Sequence, residues 1–155
     1  MYQKLSQNFA QVKDKGPKEV CEFIGGKVKQ NNFSNVCAVR MSYAFNKAGI
    51  KIPYIKDETV SVPNNHNNPN NDEKDWYIFR VRVFKQFLKD KKYNYIASDK
   101  ERKLKPFEGK KGVIVFDCSF ADATGHVDLF NGSYVEGTDY SGSDQLKSLG
   151  LYEIN

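Results

Sequence analysis

Residues 36–48 read VCAVRMSYAFNKA, and the reading of this run decides the fold. Cys37, Met41, Ala44, Phe45 and Ala48 recur at helical spacing and form one apolar stripe, which predicts a helix. Ser34 or Asn35 can cap its start, and Gly49 supplies a natural stop. Arg40, Asn46 and Lys47 lie off the stripe. Ser34, Asn35, Arg40 and Ser42 are read as capping or helix-surface residues, with substrate contact as the alternative. A helix with one apolar face needs a second layer to cover it, and the rest of the chain has to supply that layer.

Upstream, Pro17 suits the first turn of a helix over 17–30, with Val20, Cys21, Phe23, Ile24 and Val28 on a broad face. Gly25 and Gly26 weaken that helix and bend it. Residues 3–14 form a short, weakly patterned helix. Downstream, KIPYIKDETVSVP (51–63) reads as extended and is bounded by Pro53 and Pro63. NNHNNPNNDEKD (64–75) is an Asn-rich polar loop that cannot supply a core. WYIFRVRVFKQFLKDKK (76–92) starts as a strand and turns helical, with Val81, Phe84 and Leu88 in period and lysines at the helix end. Residues 98–105 form a candidate short helix. VIVF (113–116) is a buried strand, and GHVDLF (125–130) alternates polar with apolar side chains. Asn131-Gly132 is a hairpin signal, after which SYVEG (133–137) returns antiparallel. LYEI (151–154) adds a last strand. Helices first and antiparallel strands afterwards give an α+β class, with N-terminal helices packed on an antiparallel sheet. The 155 residues suit a single domain over 1–155.

The composition narrows the function classes. The net charge of +5 fits a polyanionic partner, but the lysines are scattered and no nucleic-acid motif occurs, so no nucleic-acid partner is expected. No run of about 18 apolar residues exists, so no membrane insertion is expected. The start, MYQKLSQNFAQVKDK, lacks the apolar stretch of a secretory signal. The protein is therefore expected to be made in the cytoplasm without a signal peptide, and to stay there or leave by a route that needs none. The three cysteines, Cys21, Cys37 and Cys118, show no zinc-site spacing, so neither metal nor cofactor is expected.

One cysteine stands in a chemically loaded place. Cys37 falls in the first turn of its helix, where unpaired backbone N–H groups and the positive helix end favour a sulfur anion. The same N–H groups can steady the oxyanion of a tetrahedral intermediate. Its base must come from the sheet. His66 lies in the Asn-rich loop. His126 lies near the start of GHVDLF, and alternation puts His126, Asp128 and Phe130 on one face. A third group orients the imidazole. Across a two-residue Asn131-Gly132 turn, Gly137 falls opposite His126 and Asp139 two residues beyond on the same face, while Glu136 points away. Asp139 ranks slightly above Asp128 for that role.

The run from Asn35 to Gly49 (NVCAVRMSYAFNKAG) resembles the nucleophile helix of the fourth family of type VI secretion amidase effectors. GHVDLFNG (125–132) resembles that family's histidine strand, and the likeness extends over roughly residues 17–140. The resemblance implies a papain-like cysteine peptidase fold. It implies a DL-endopeptidase that hydrolyses the bond between γ-D-glutamate and meso-diaminopimelate in peptidoglycan stem peptides. Cys37 carries over as nucleophile and His126 as general base. It further implies an antibacterial effector that is secreted, acts in the periplasm of the target cell and is neutralised by a cognate immunity protein. Three positions depart from the family pattern. Gly137 stands where the family's acidic residue is usual, Phe130 stands where tryptophan is common, and a pair of late cysteines is absent. Two other readings stay open: a non-catalytic basic binding module for nucleic acid or an acidic protein, and a papain-like enzyme for another amide, such as a deamidase or transglutaminase.

Overall fold

The computed structural model describes residues 1–64, 73–118 and 125–155. Helices α1 (Tyr2–Phe9), α2 (Pro17–Ile24), α3 (Gly26–Asn31) and α4 (Cys37–Lys47) come first. Strands β1 (Thr59–Pro63) and β2 (Lys74–Ile78) follow, then α5 (Val81–Asp90) and β3 (Asn94–Ala97). A 3-10 turn at Lys105–Phe107 leads to β4 (Gly112–Cys118), β5 (Gly125–Phe130) and β6 (Leu146–Glu153). β1 and β2 form an antiparallel ribbon, and the other four strands form an antiparallel sheet in the order β3-β6-β4-β5. The α+β, papain-like arrangement is observed, with helices layered on an antiparallel sheet.

Strand periodicity sorts the core. Val113 and Val115 of β4 and Val127 and Leu129 of β5 join Leu5, Val39, Met41, Phe45, Phe84 and Leu88 in the helix-side core. Ile114, Phe116, Cys118 and Phe130 point the other way, into a second cluster with Phe107, Val135, Leu146 and Leu151. His126 and Asp128 share the parity of Phe130, so they belong to this second face. β5 is the end strand of the sheet.

α4 keeps its apolar stripe, and Gly49 (φ 93°) ends it, with Ile50 N–H reaching back to Phe45 O at 2.9 Å. Two polar residues of α4 are buried with it. Ser42 is fully buried and its hydroxyl accepts from Ile78 N–H at 3.0 Å, while Asn46 Nδ2 donates to Trp76 O at 2.8 Å. One turn apart, they fasten α4 to the backbone of β2.

Several expectations shift. The helix read over 17–30 breaks in two at Gly25 (φ 81°) and Gly26 (φ 53°). A Cβ on Gly26 would stand 2.9 Å from Val62 Cα, so β1 sits where only glycine leaves room. The helix at 98–105 reduces to the 3-10 turn, because Arg102 takes φ 55°. Lys74 and Asp75 leave the predicted loop and enter β2. His66 and the central part of the Asn-rich loop, 65–72, lie outside the described residues. The hairpin after Phe130 also differs. Asn131 Oδ1 accepts from both Ser133 N–H and Tyr134 N–H at 2.9 Å, so the turn takes four residues. Phe130 then pairs with Val135, and Glu136 N–H bonds Leu129 O at 2.8 Å. SYVEG gives this bridge and no strand, and the next strand, β6, pairs with β4 and β3 on the far side of the sheet.

Candidate active site

Cys37 is the first residue of α4 and is 5% exposed. Val36 is the N-cap and makes no side-chain capping bond. Asn35 acts one residue earlier: its Oδ1 accepts the Cys37 N–H at 3.2 Å. The amide that an oxyanion could use is thus already occupied by a side-chain oxygen that can swing away. One turn on, Arg40 is not a surface residue. It donates to the carbonyls of Val12 (3.2 Å) and Lys15, pinning the segment after α1 against α4. Burial, the first cause, lowers its pKa.

His126 and Cys37 meet at the free edge of the sheet, where β5 ends the strand order and the head of α4 packs on it. The Cys37 thiol lies close enough to the imidazole to raise its pKa. His126 Nε2 is 2.8 Å from Asp128 Oδ2. Phe116 and Tyr140 wall the ring, at 5.9 and 5.0 Å between centroids. Burial pushes the His126 pKa down, but the hydrogen bond to Asp128, then the hydrogen bond and charge of Cys37, outweigh it and lift the value to about 9. The ring therefore carries its proton at neutral pH.

Asp128 is 1% exposed, and a buried carboxylate needs donors. It accepts from Leu129 N–H (2.8 Å), Gly137 N–H (2.9 Å) and Thr138 N–H (2.9 Å) as well as from the imidazole. Gly137 is the close approach: a Cβ there would lie 2.3 Å from Asp128 Oδ2. The ranking of Asp139 above Asp128 is thereby corrected. The four-residue turn moves the register by two, so Gly137 falls opposite Asp128. The backbone then leaves the strand, and Asp139 is exposed, its Oδ1 capping Ser141 N–H at 2.8 Å. The structure thus brings Cys37, His126 and Asp128 together and leaves Asp139 out. The sequence reading missed the Gly137-Thr138 cradle, for which the glycine in the family's acidic position was the available signal.

Residues 33–152 match the family described as type VI secretion system (T6SS), amidase effector protein 4, or Tae4. The chain belongs to this family. It is a T6SS amidase effector, with the antibacterial, peptidoglycan-hydrolysing character of the Tae4 proteins. The fold is similar throughout to solved Tae4 structures. The Salmonella typhimurium effector, solved in complex with the immunity protein Tai4 from Enterobacter cloacae, is 28% identical with a TM-score of 0.79, covering 99% of this chain and 98% of that one. The Enterobacter cloacae effector in its Tae4–Tai4 complex is 27% identical, with TM-score 0.77 and coverage of 99% and 98%. The Enterobacter effector alone is 26% identical, with TM-score 0.77 and coverage of 99% and 96%. No curated protein matches the chain with comparable significance.

A cleft of about 660 Å³ lies between α5 and the segment before β1, lined by Lys51, Ile55, Arg82 and Phe87 among others. It includes none of the three residues above. The chemistry belongs with the thiol and imidazole, because size alone supplies neither nucleophile nor base. Among the described residues no cluster of His, Cys, Asp or Glu is placed to hold a metal ion, and no helix is long and apolar enough to cross a membrane.

Proposed function

We propose that residues 1–155 act as one amidase domain that opens the bond between γ-D-glutamate and meso-diaminopimelate in peptidoglycan stem peptides, with Cys37 as nucleophile. The observation that carries this reading is the imidazole of His126 held between the Cys37 thiol and the Asp128 carboxylate. The thiolate attacks the glutamyl carbonyl carbon. The carbonyl oxygen, now negative, takes over the Cys37 N–H from Asn35 at the positive end of α4. His126 gives its proton to the departing diaminopimelate amine, leaving a thioester and a neutral ring. Water then attacks the thioester, its proton passes to His126, and the sulfur leaves as thiolate. Asp128 keeps the ring oriented and balances its charge throughout.

The delivery reading follows from the family: secretion into a rival cell and action in its periplasm. A Tai4-type immunity protein is the expected partner, since the Salmonella and Enterobacter effectors are seen bound to one. Such a protein should block cleavage when premixed with the enzyme.

The test is digestion of purified peptidoglycan, with the fragments read by mass spectrometry. Wild type should release fragments ending in γ-D-glutamate, and Cys37→Ala none. Retained cleavage by that variant would falsify the nucleophile assignment. Ammonia release from glutamine side chains, with the stem peptide left whole, would move the same centre to deamidation.

A further inference from the structure

Two of the three amides that hold Asp128, those of Gly137 and Thr138, directly follow Glu136, and Glu136 is tied to the opposite end of the chain. Its carboxylate accepts from the Tyr2 hydroxyl and from Ser6 Oγ, the latter at 2.7 Å. Tyr2 and Ser6 stand one turn apart on α1, so both hydroxyls leave the same helix face. Leu5 and Phe9 of that helix are buried in the helix-side core, where α1 packs along α4. α1 therefore touches both halves of the centre, the helix that carries Cys37 and the segment whose amides hold Asp128.

Among the described residues that segment joins no strand beyond the Glu136–Leu129 backbone bond, and an irregular segment must be held still for its donors to stay within tenths of an ångström of a carboxylate. The Tyr2 side supplies a firm anchor. Tyr2 is 6% exposed, and its phenol is held far above its ordinary pKa, first by burial and then by the bond to Glu136, so it remains a donor. The other groups facing it are Lys111, whose Nζ lies 6.0 Å from the ring centroid, Tyr134 and Asp128 itself. Residues 1–32 lie outside the matched stretch 33–152, so this contact joins the matched catalytic part to a segment beyond it.

We infer that Tyr2, Ser6 and Glu136 are positioning residues: α1 clamps residues 136–138 so that the Gly137 and Thr138 amides hold Asp128 against His126. The inference rests on the reading of Cys37, His126 and Asp128 as the catalytic centre. The charged and titratable groups facing the imidazole are Asp128 on its own strand and Cys37 from α4, with Arg40 and Tyr140 beside them. The clamp variants alter none of these.

The test uses the whole chain with Glu136→Ala, Glu136→Gln and the double variant Tyr2→Phe/Ser6→Ala. Two quantities are read: the His126 titration by NMR and the cleavage kinetics on muropeptides. Glu136→Ala and the double variant should move the His126 midpoint down from about 9 toward the ordinary 6.5. They should also cut kcat about tenfold, the equivalent of one pKa unit, with KM unchanged. Glu136→Gln keeps an oxygen for the hydroxyls and should recover most of both. A folded Glu136→Ala protein with unmoved titration and kcat overturns the clamp, as does lower melting temperature with unmoved titration. If Glu136→Ala does not fold, the double variant, which keeps the Glu136 backbone bond, decides in the same way. A wild type that cuts no muropeptide would sink the assigned substrate, while the titration would still decide the clamp.

Discussion

Cys37 and Asp128 flank the same imidazole, yet a helix places the first and backbone outside any helix or strand places the second. Cys37 owes its position to an apolar stripe buried against the sheet and to two buried polar stitches, so nearly the whole of α4 would have to move to displace it. Asp128 starts on a strand, but three backbone amides hold its carboxylate, two of them from a segment that has already left the sheet. Cys37 is therefore fixed by packing and Asp128 by a few directed bonds. Packing spreads a perturbation over many contacts, whereas a cradle of amides fails when a single backbone position shifts.

The sharpest way to test this contrast is removal of each flank. Cys37→Ala should abolish cleavage, a fall of about 10³-fold or more, with the circular dichroism spectrum and melting temperature little changed. Asp128→Asn should lower kcat about 10²- to 10⁴-fold, and Asp139→Asn should stay within about twofold. The reverse order in steady-state kinetics would restore Asp139 as the orienting acid. Gly137→Ala tests the cradle without touching the acid. With the new Cβ placed 2.3 Å from Asp128 Oδ2, it should cost about tenfold in kcat and about 1–3 kcal/mol in denaturant stability.

The pH profile comes next. The folded pKa of His126 is raised from 6.5 to about 9, so its contribution to stability is complete below about pH 6.5 and is lost as pH rises through about 9. Cleavage should fall over the same limb as the proton for the leaving amine is lost, and Asp128→Asn should pull that limb to lower pH. The smallest effect on activity belongs to the scaffold. Ser42→Ala strands the Ile78 N–H and should cost about 1–3 kcal/mol of stability with kcat unchanged.

The same contrast explains what could be read from the sequence. The nucleophile helix, the α+β class and the β5 strand follow from periodicity, because burial repeats every 3.6 or 2 residues. Cys37 and His126 could be placed from the sequence because both sit on regular elements. The choice between Asp128 and Asp139 turned on how many residues the Asn131 turn takes, and Asn131 Oδ1 bonding two successive amides leaves no periodic trace. Ser42 and Arg40 read as capping or surface residues, and Asn46 only as lying off the stripe, because their partners are backbone groups of remote segments, which composition and spacing do not encode. Glu136 was read as pointing away from His126, but its tie to α1 joins residues more than 100 positions apart.

The ribbon of β1 and β2 is fastened to α4 through the backbone of Ile78 and Trp76, at Ser42 and Asn46, about one and a half and two and a half turns beyond the thiol. A strain carried along β2 therefore reaches those two anchors before it reaches the sulfur.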